Sequence, residues 1–146
     1  MSRQAYLQLI EKHRKDIEDF PIAYAFNNQQ LKEALEKLGA KDLSECVTVF
    51  GHGDIVKKEN APKLVAMIKR NNQEVRDALI HDEKFAEEAF LYEMDNHEYA
   101  INWDGDDDVL ACFGLDYDDL VEFNLVGAYN RARKTHYKKM EEYGVI

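Results

Sequence analysis

Between Phe85 and Asn130 the sequence has no lysine and no arginine, yet those 46 residues carry thirteen acids. The 84 residues before this stretch hold fourteen acids and fourteen bases, and the sixteen after it hold two acids and five bases, so the formal charge of -10 is concentrated rather than spread. Without cations, the stretch lacks the salt bridges that normally temper a carboxylate face. Such a face is repelled by nucleic-acid phosphates and anionic lipid, so direct binding to either is not expected. Cysteine is scarce: Cys46 and Cys112 lie 66 residues apart with no second cysteine near either. That excludes a disulfide framework and a zinc-type Cys spacing, and fits a reducing compartment. No apolar run approaches the roughly 20 residues of a membrane helix. The opening MSRQAYLQLIEKHRKD has no apolar core of signal-peptide length, so a cytoplasmic protein is expected. Internal repeats, low-complexity runs and linkers are also missing, which makes residues 1–146 a single expected domain.

What is present suffices for a core. Hydrophobic residues make up 45% and aromatics 11% of the chain, enough to fold without metal or disulfide support. Tyr6, Leu9, Ile10, His13, Ile17 and Phe20 recur at helical spacing after Ser2, a candidate cap, and Pro21 ends the pattern. The apolar Pro21–Phe26 segment reads as a short buried strand. Asn27 with Gln30 makes a capping-box pattern for a second helix, with Leu31, Leu35 and Leu38 on one face and Gly39 as its stop. Two β-branched runs around Gly51-His52-Gly53-Asp54 predict a hairpin or a bulged strand. Asn60-Ala61-Pro62 starts a long third helix that reaches about Asp82 with a bend near Asn71-Asn72, and a further helix carries Phe85, Ala86, Ala89, Phe90 and Met94. The alternation of Tyr99, Ile101 and Trp103 predicts another strand. The Asp104–Asp108 turn opens a short helix, Val109–Phe113, and Asp116 caps a last helix from about Tyr117 to Tyr143. These elements amount to an α+β fold, mostly helical, with a small antiparallel sheet.

Half of the acids have a local explanation. Asp104, Asp106, Asp107 and Asp108 stand where one helix begins and Asp116, Asp118 and Asp119 where the next begins, so each group meets the positive end of a helix dipole. One or two carboxylates serve that purpose, so a surplus remains. Calcium does not account for it: Asp104, Asp106 and Asp108 have the alternate spacing of an EF-hand opening, but Val109 and Leu115 occupy the positions that require glycine and a bidentate glutamate. The helix-turn-helix reading of Val109–Leu120 fails as well, because the second helix would present Asp116, Asp118, Asp119 and Glu122 to phosphates. For catalysis, His52 and His97 are the histidines in loop-like surroundings. Cys46 and Cys112 lie among apolar neighbours, as inert core cysteines do. His52, His97, Glu98 and Asp54 form an alternative acid-base or metal cluster that no recognised spacing supports. No cofactor is implied, and no reaction is identified.

Phe20–Asn27, Phe50–Lys58, and Asn96–Ala100 onward to Phe113–Leu115 resemble a family of small, uncharacterised acidic proteins of Firmicutes and their phages and mobile elements. The resemblance carries no activity to any residue. It implies a setting in which small proteins inhibit host defence. The expectation is therefore a non-enzymatic acidic interaction protein whose negative face occupies the basic surface of a nucleic-acid-binding protein, as inhibitors of the anti-CRISPR or anti-restriction type do. Asp104, Asp106, Asp107, Asp108, Asp116, Asp118 and Asp119 are the candidate binding residues. Trp103 and Tyr117 are candidate apolar anchors, with core burial the competing reading, more strongly for Trp103. The alternatives are a small metal-binding protein or hydrolase-like enzyme using His52, His97 and Glu98, and a regulatory subunit whose acids only maintain solubility.

Overall fold

A computed structural model describes the backbone from Ser2 to Ile146 and the side chains from Ala5 onward. The order is α1 (Ser2–Asp19), β1 (Ala23–Tyr24), α2 (Asn28–Leu38), β2 (Cys46–Val47), β3 (Asp54–Lys57), α3 (Ala61–His81), α4 (Glu83–Asn96), α5 (Gly105–Ala111), α6 (Tyr117–Glu122) and α7 (Val126–Glu142). This is the expected α+β architecture, mostly helical with one small antiparallel sheet. The cap expected from Ser2 falls on a side chain outside the described residues. No helix among the described residues is long and apolar enough to cross a membrane. The chain divides into two compact units: Glu11–Asn71, which carries the sheet, and Met1–Ile10 with Asn72–Ile146, which carries the acidic stretch.

In the first of these units β3 is the central strand, pairing Ala23 with Ile55 on one side and Val47 with Val56 on the other. Successive side chains of a strand point to opposite faces. Ile55 accordingly joins Ala23, Ala34, Leu38 and Cys46 in one apolar cluster, while Val56 joins Ile22, Leu64 and Met67 in another. The Pro21–Phe26 segment is less buried than its composition suggests. Its strand is two residues long, and Tyr24 and Phe26 are exposed because a two-residue strand at the edge of the sheet buries only the face bearing Ala23. Asn27 caps α2 through the Gln30 amide at 2.8 Å, and Gly39 closes it at φ 71°. Gln30 returns its side chain to the Phe26 amide, one residue earlier than a capping box requires. The expected hairpin forms between β2 and β3. Its loop is organised by Asp54, 2% exposed, whose carboxylate accepts from Thr48 Oγ1 at 2.7 Å and from the amides of Val49, Phe50 and His52 at 2.8, 3.0 and 3.2 Å. Burial alone would push this carboxyl up, but those donors outweigh it and hold it well below the usual carboxylate range.

In the other unit α4 packs along α7. Ala86, Ala89, Ala128 and Ala132 are fully buried there, and such small side chains let helices approach closely. Phe90 stacks edge-to-face on Tyr129 and Phe113 at 5.1 and 5.2 Å, and Tyr6 of α1 reaches Phe85 and Phe113. Asp82 caps α4 through the Phe85 amide at 3.0 Å.

Two expectations fail in this unit. The strand predicted over His97–Trp103 is a 3-10 turn at Tyr99–Ile101: Glu98 takes a left-handed φ of 52°, which breaks any extended run, and only Tyr99 turns inward. The single last helix is two. At Asn124, φ 57°, the Leu125 amide reaches back to the Leu120 carbonyl at 2.7 Å and the Asn124 amide to that of Val121 at 3.2 Å. This is a Schellman stop sealed by buried Leu120 and Leu125, with asparagine where glycine more often stands. The short helix after the acidic turn also begins earlier than expected, at Gly105 rather than Val109.

Candidate functional site

The acidic stretch enters its turn from the end of α4. Asn102 holds the turn together: its side-chain amide donates to the His97 carbonyl at 3.0 Å and to Asp108 Oδ2 at 2.9 Å, and its oxygen accepts from the Asp104 amide at 3.0 Å. One residue on, Trp103 projects fully into solvent, at 102% relative exposure. Core burial, the competing reading for the chain's one tryptophan, is thereby excluded. With no strand here there is no inward face for residues 101 and 103 to share with Tyr99, and Ile101 is exposed too.

The carboxylates then divide by role. Asp106 is half-buried and accepts three phenols: Tyr99 at 2.6 Å and Tyr129 at 2.5 Å on Oδ1, and Tyr117 on Oδ2. Burial pushes its carboxyl up, but the bonds from Tyr117, Tyr129 and Tyr99 prevail and hold it below the usual range, with Arg133 adding to the effect. In return Tyr117 is pushed up to about 12, first by its bond to Asp106, and Tyr99 and Tyr129 rise further, first through burial. All three phenols therefore remain donors at neutral pH. Asp106 is thus a structural clamp among the candidate binding residues. Asp116 and Asp119 form a reciprocal capping box on α6, at 2.9 and 3.0 Å. Asp104 makes no cap with its side chain, and Asp104, Asp107, Asp108, Asp116 and Asp118 are exposed.

Tyr117 is the first residue of α6 and Asp106 the second of α5, so their bond draws the two acidic helix starts together. Arg133 of α7 acts on Asp106 through its charge without forming an ion pair, and the α7 cations that do pair go elsewhere. Arg131 pairs with Glu83 and Glu87 at 2.7 and 2.8 Å, and Lys139 and His136 with Asp95 at 2.6 and 2.7 Å. Among the described residues no ion pair reaches Asp104, Asp106, Asp107, Asp108, Asp116, Asp118 or Asp119. Carboxylates without an ion pair therefore stand at the starts of both α5 and α6, and Trp103, Tyr117 and Val121 of the same stretch are exposed.

Behind that corner lies a second arrangement. Glu93 and His97 stand one helical turn apart at the end of α4, and Cys112 follows α5; one ligand atom from each lies within 4.8 Å of the other two. Cys112 Sγ is 3.3 Å from His97 Nε2 and donates to the Asp108 carbonyl at 3.3 Å. Glu93, 7% exposed, accepts from the Tyr6 hydroxyl at 2.9 Å. The expectation that Cys112 is an inert core residue is thereby corrected. The residue as a whole is exposed although its neighbours Leu110 and Phe113 are buried, and its sulfur lies against His97. Cys46 is the buried one. Partial burial and then the charge and hydrogen bonding of Glu93 push the Cys112 thiol up to about 11, so in the absence of a cation it is a poor nucleophile.

The model of a family of unknown function, DUF7659, matches residues 5–135, which run from within α1 to within α7 and include both acidic helix starts and Glu93, His97 and Cys112. The chain belongs to the DUF7659 family. No curated protein and no solved structure matches it.

Within this DUF7659 chain the alternative site drawn from sequence does not assemble as proposed. His52 is exposed in the Asp54-ordered loop of the sheet-bearing unit, Asp54 is consumed by that loop, and Glu98 is an exposed residue in left-handed backbone. Only His97 joins a cluster, and its partners are Glu93 and Cys112. The i, i+4 spacing of Glu93 and His97 on a helix was the available signal, since it puts both on one face. No sequence motif marks His136, which is 0% exposed, accepts the Ala100 amide on Nε2 at 3.1 Å and meets Asp95 through Nδ1. It fastens the 3-10 turn to α7.

Proposed function

We propose that this protein is a non-enzymatic interaction module that seats the α5–α6 corner on the basic surface of a nucleic-acid-binding protein. The observation that carries the reading is Trp103, fully solvent-exposed beside a corner whose carboxylates have no ion-pair partner among the described residues. An exposed tryptophan supplies a large apolar anchor, and hot spots of protein interfaces are enriched in that residue. Surrounding carboxylates supply complementarity and speed encounter with a positive surface. A partner so covered is barred from nucleic acid. In the mobile-element setting that the sequence resemblance implies, that makes the module an inhibitor of the anti-CRISPR or anti-restriction type.

The test is affinity capture from host lysate at low and high salt, followed by nucleic-acid binding by the captured protein with and without this chain. Wild type is expected to retain a basic protein at low salt, lose much of it at high salt as screening shortens to about 3 Å at 1 M, and block its nucleic-acid binding. Asp104→Lys with Asp107→Lys and Asp118→Lys should abolish retention, and Trp103→Ala should weaken it while leaving stability within about 0.5 kcal/mol, as for other surface changes. Asp106 is left intact in these variants because its loss acts on folding. Retention indifferent to the charge reversal, or a captured protein whose nucleic-acid binding is unaffected, rejects the reading.

A further inference from the structure

We propose that Glu93, His97 and Cys112 form a binding site for a divalent transition-metal cation of the zinc class. Three observations carry this, and none depends on the docking reading. The first is the donor set. A thiol, an imidazole and a carboxylate on two adjacent elements, all within 4.8 Å of one another, are the S, N and O ligands that zinc accepts. The second is geometry. Zinc bonds of about 2.3 Å to sulfur and about 2.05 Å to nitrogen in a tetrahedron hold those atoms about 3.6 Å apart. The Sγ to Nε2 separation here is 3.3 Å, so an ion enters with a shift of a few tenths of an ångström at that pair. The third is charge. Glu93 is buried, yet among the described residues it forms no ion pair; its bonds are to the Tyr6 hydroxyl at 2.9 Å, to the Cys112 thiol and, at 3.5 Å, to Asn96. Buried carboxylates are ordinarily paired with a cation or bound to one.

The surroundings suit the role. Tyr6, on α1, orients the Glu93 carboxylate from outside the ligand set, the kind of support that tunes metal sites. Asn102 ties the His97 backbone to Asp108, and Cys112 is itself bonded to the Asp108 carbonyl, so these two ligands are held relative to one turn. On binding, the Cys112 thiol gives its proton to solvent and the thiolate becomes the ligand. Three protein ligands leave a fourth position for water or for a group from a partner.

The full chain, stripped with chelator under reducing conditions, should bind Co²⁺ with a sulfur-to-metal charge-transfer band that saturates at one ion per chain and is erased by Zn²⁺. Cys112→Ser, at an exposed position, should fold normally by circular dichroism and lose the band. Tyr6→Phe should keep the band and lower Zn²⁺ affinity by about 10–100-fold. Glu93→Gln should weaken binding at least as much, with the thermal melt of each variant recorded beside it. The Cys46→Ala variant should behave as wild type, since Cys46 is buried in the other unit. Absence of a charge-transfer band in wild type overturns the proposal. So does Zn²⁺ binding that Cys112→Ser leaves unchanged, which places the ion on the exposed aspartates instead.

Discussion

Replacing Asp106 with alanine should cost this protein about 4 kcal/mol of stability, far more than a change at a half-exposed aspartate ordinarily does. The figure follows from what the carboxylate holds. Tyr99 and Tyr129, 7% and 3% exposed, donate to it at 2.6 and 2.5 Å, and without the carboxylate these buried phenols keep only their neutral contact with each other. Each hydrogen bond to a charged acceptor that is lost costs about 1.5–3 kcal/mol. Tyr117 is exposed and exchanges the carboxylate for water, adding little. At about 2–4 °C per kcal/mol for a chain approaching 150 residues, the melting temperature should fall by roughly 8–16 °C. Asp106→Asn keeps one acceptor oxygen and should cost about 1–2 kcal/mol. Urea unfolding of wild type, both variants, Tyr129→Phe and the double variant Asp106→Ala/Tyr129→Phe measures these values. Removing the phenol should cost distinctly less once its acceptor is absent, so the two changes should couple. The sign of the pH dependence is also set. Because the folded carboxyl lies below its ordinary value, its contribution is complete above the unfolded pKa of about 3.9 and is lost as pH falls through the folded one. The gap between wild type and Asp106→Asn should therefore close in acid. An Asp106→Ala variant within 0.5 kcal/mol of wild type, on the order of a plain surface change, would refute the clamp.

Asp54→Ala removes one acceptor from four donors in the β2–β3 loop and should cost about 3 kcal/mol in urea unfolding. A loss below 1 kcal/mol, the order of one ordinary hydrogen bond, would mean the loop does not depend on it. Glu98→Gly relieves a left-handed glutamate at φ 52°. It should raise stability by about 0.5–1 kcal/mol even though it adds chain entropy to the unfolded state; a melting temperature that falls instead would show that Glu98 makes a stabilising contact.

Much of the fold is written in local pattern. Asn27 with Gly39, Asp82 before Phe85, and Asp116 with Asp119 mark helix ends by chemistry that operates over three or four residues, so each could be read before any tertiary contact is known. The misreadings come from the same reliance on local pattern. Tyr99, Ile101 and Trp103 alternate as a strand would, but the backbone at Glu98 turns left-handed and the 3-10 turn is fastened by His136, 36 residues away. Asn124 stops a helix where no glycine announces it, because the stop is completed by Leu120 meeting Leu125 in the core. Cysteine burial went wrong for a related reason: Leu110 and Phe113 predict the environment of a segment, whereas the direction of Cys112 depends on the pitch of a seven-residue helix.

By itself the sequence determined the helical content, the strands flanking Gly51–Asp54, the caps at Asn27 and Asp116, and the confinement of uncompensated charge to residues 85–130, since these follow from composition and from interactions between near neighbours. Only the tertiary structure decided which aspartates are free. Asp106 is bound by phenols from the 3-10 turn, α6 and α7, and Asp95 is neutralised from α7, while Asp104, Asp107 and Asp118 remain exposed. The same packing set Cys112 against Glu93 and His97 and left Trp103 in solvent. Hydrogen bonds and ligand sets act over about 3 Å in space, and residues separated by 7 to 44 positions reach that distance only when the elements that carry them have docked.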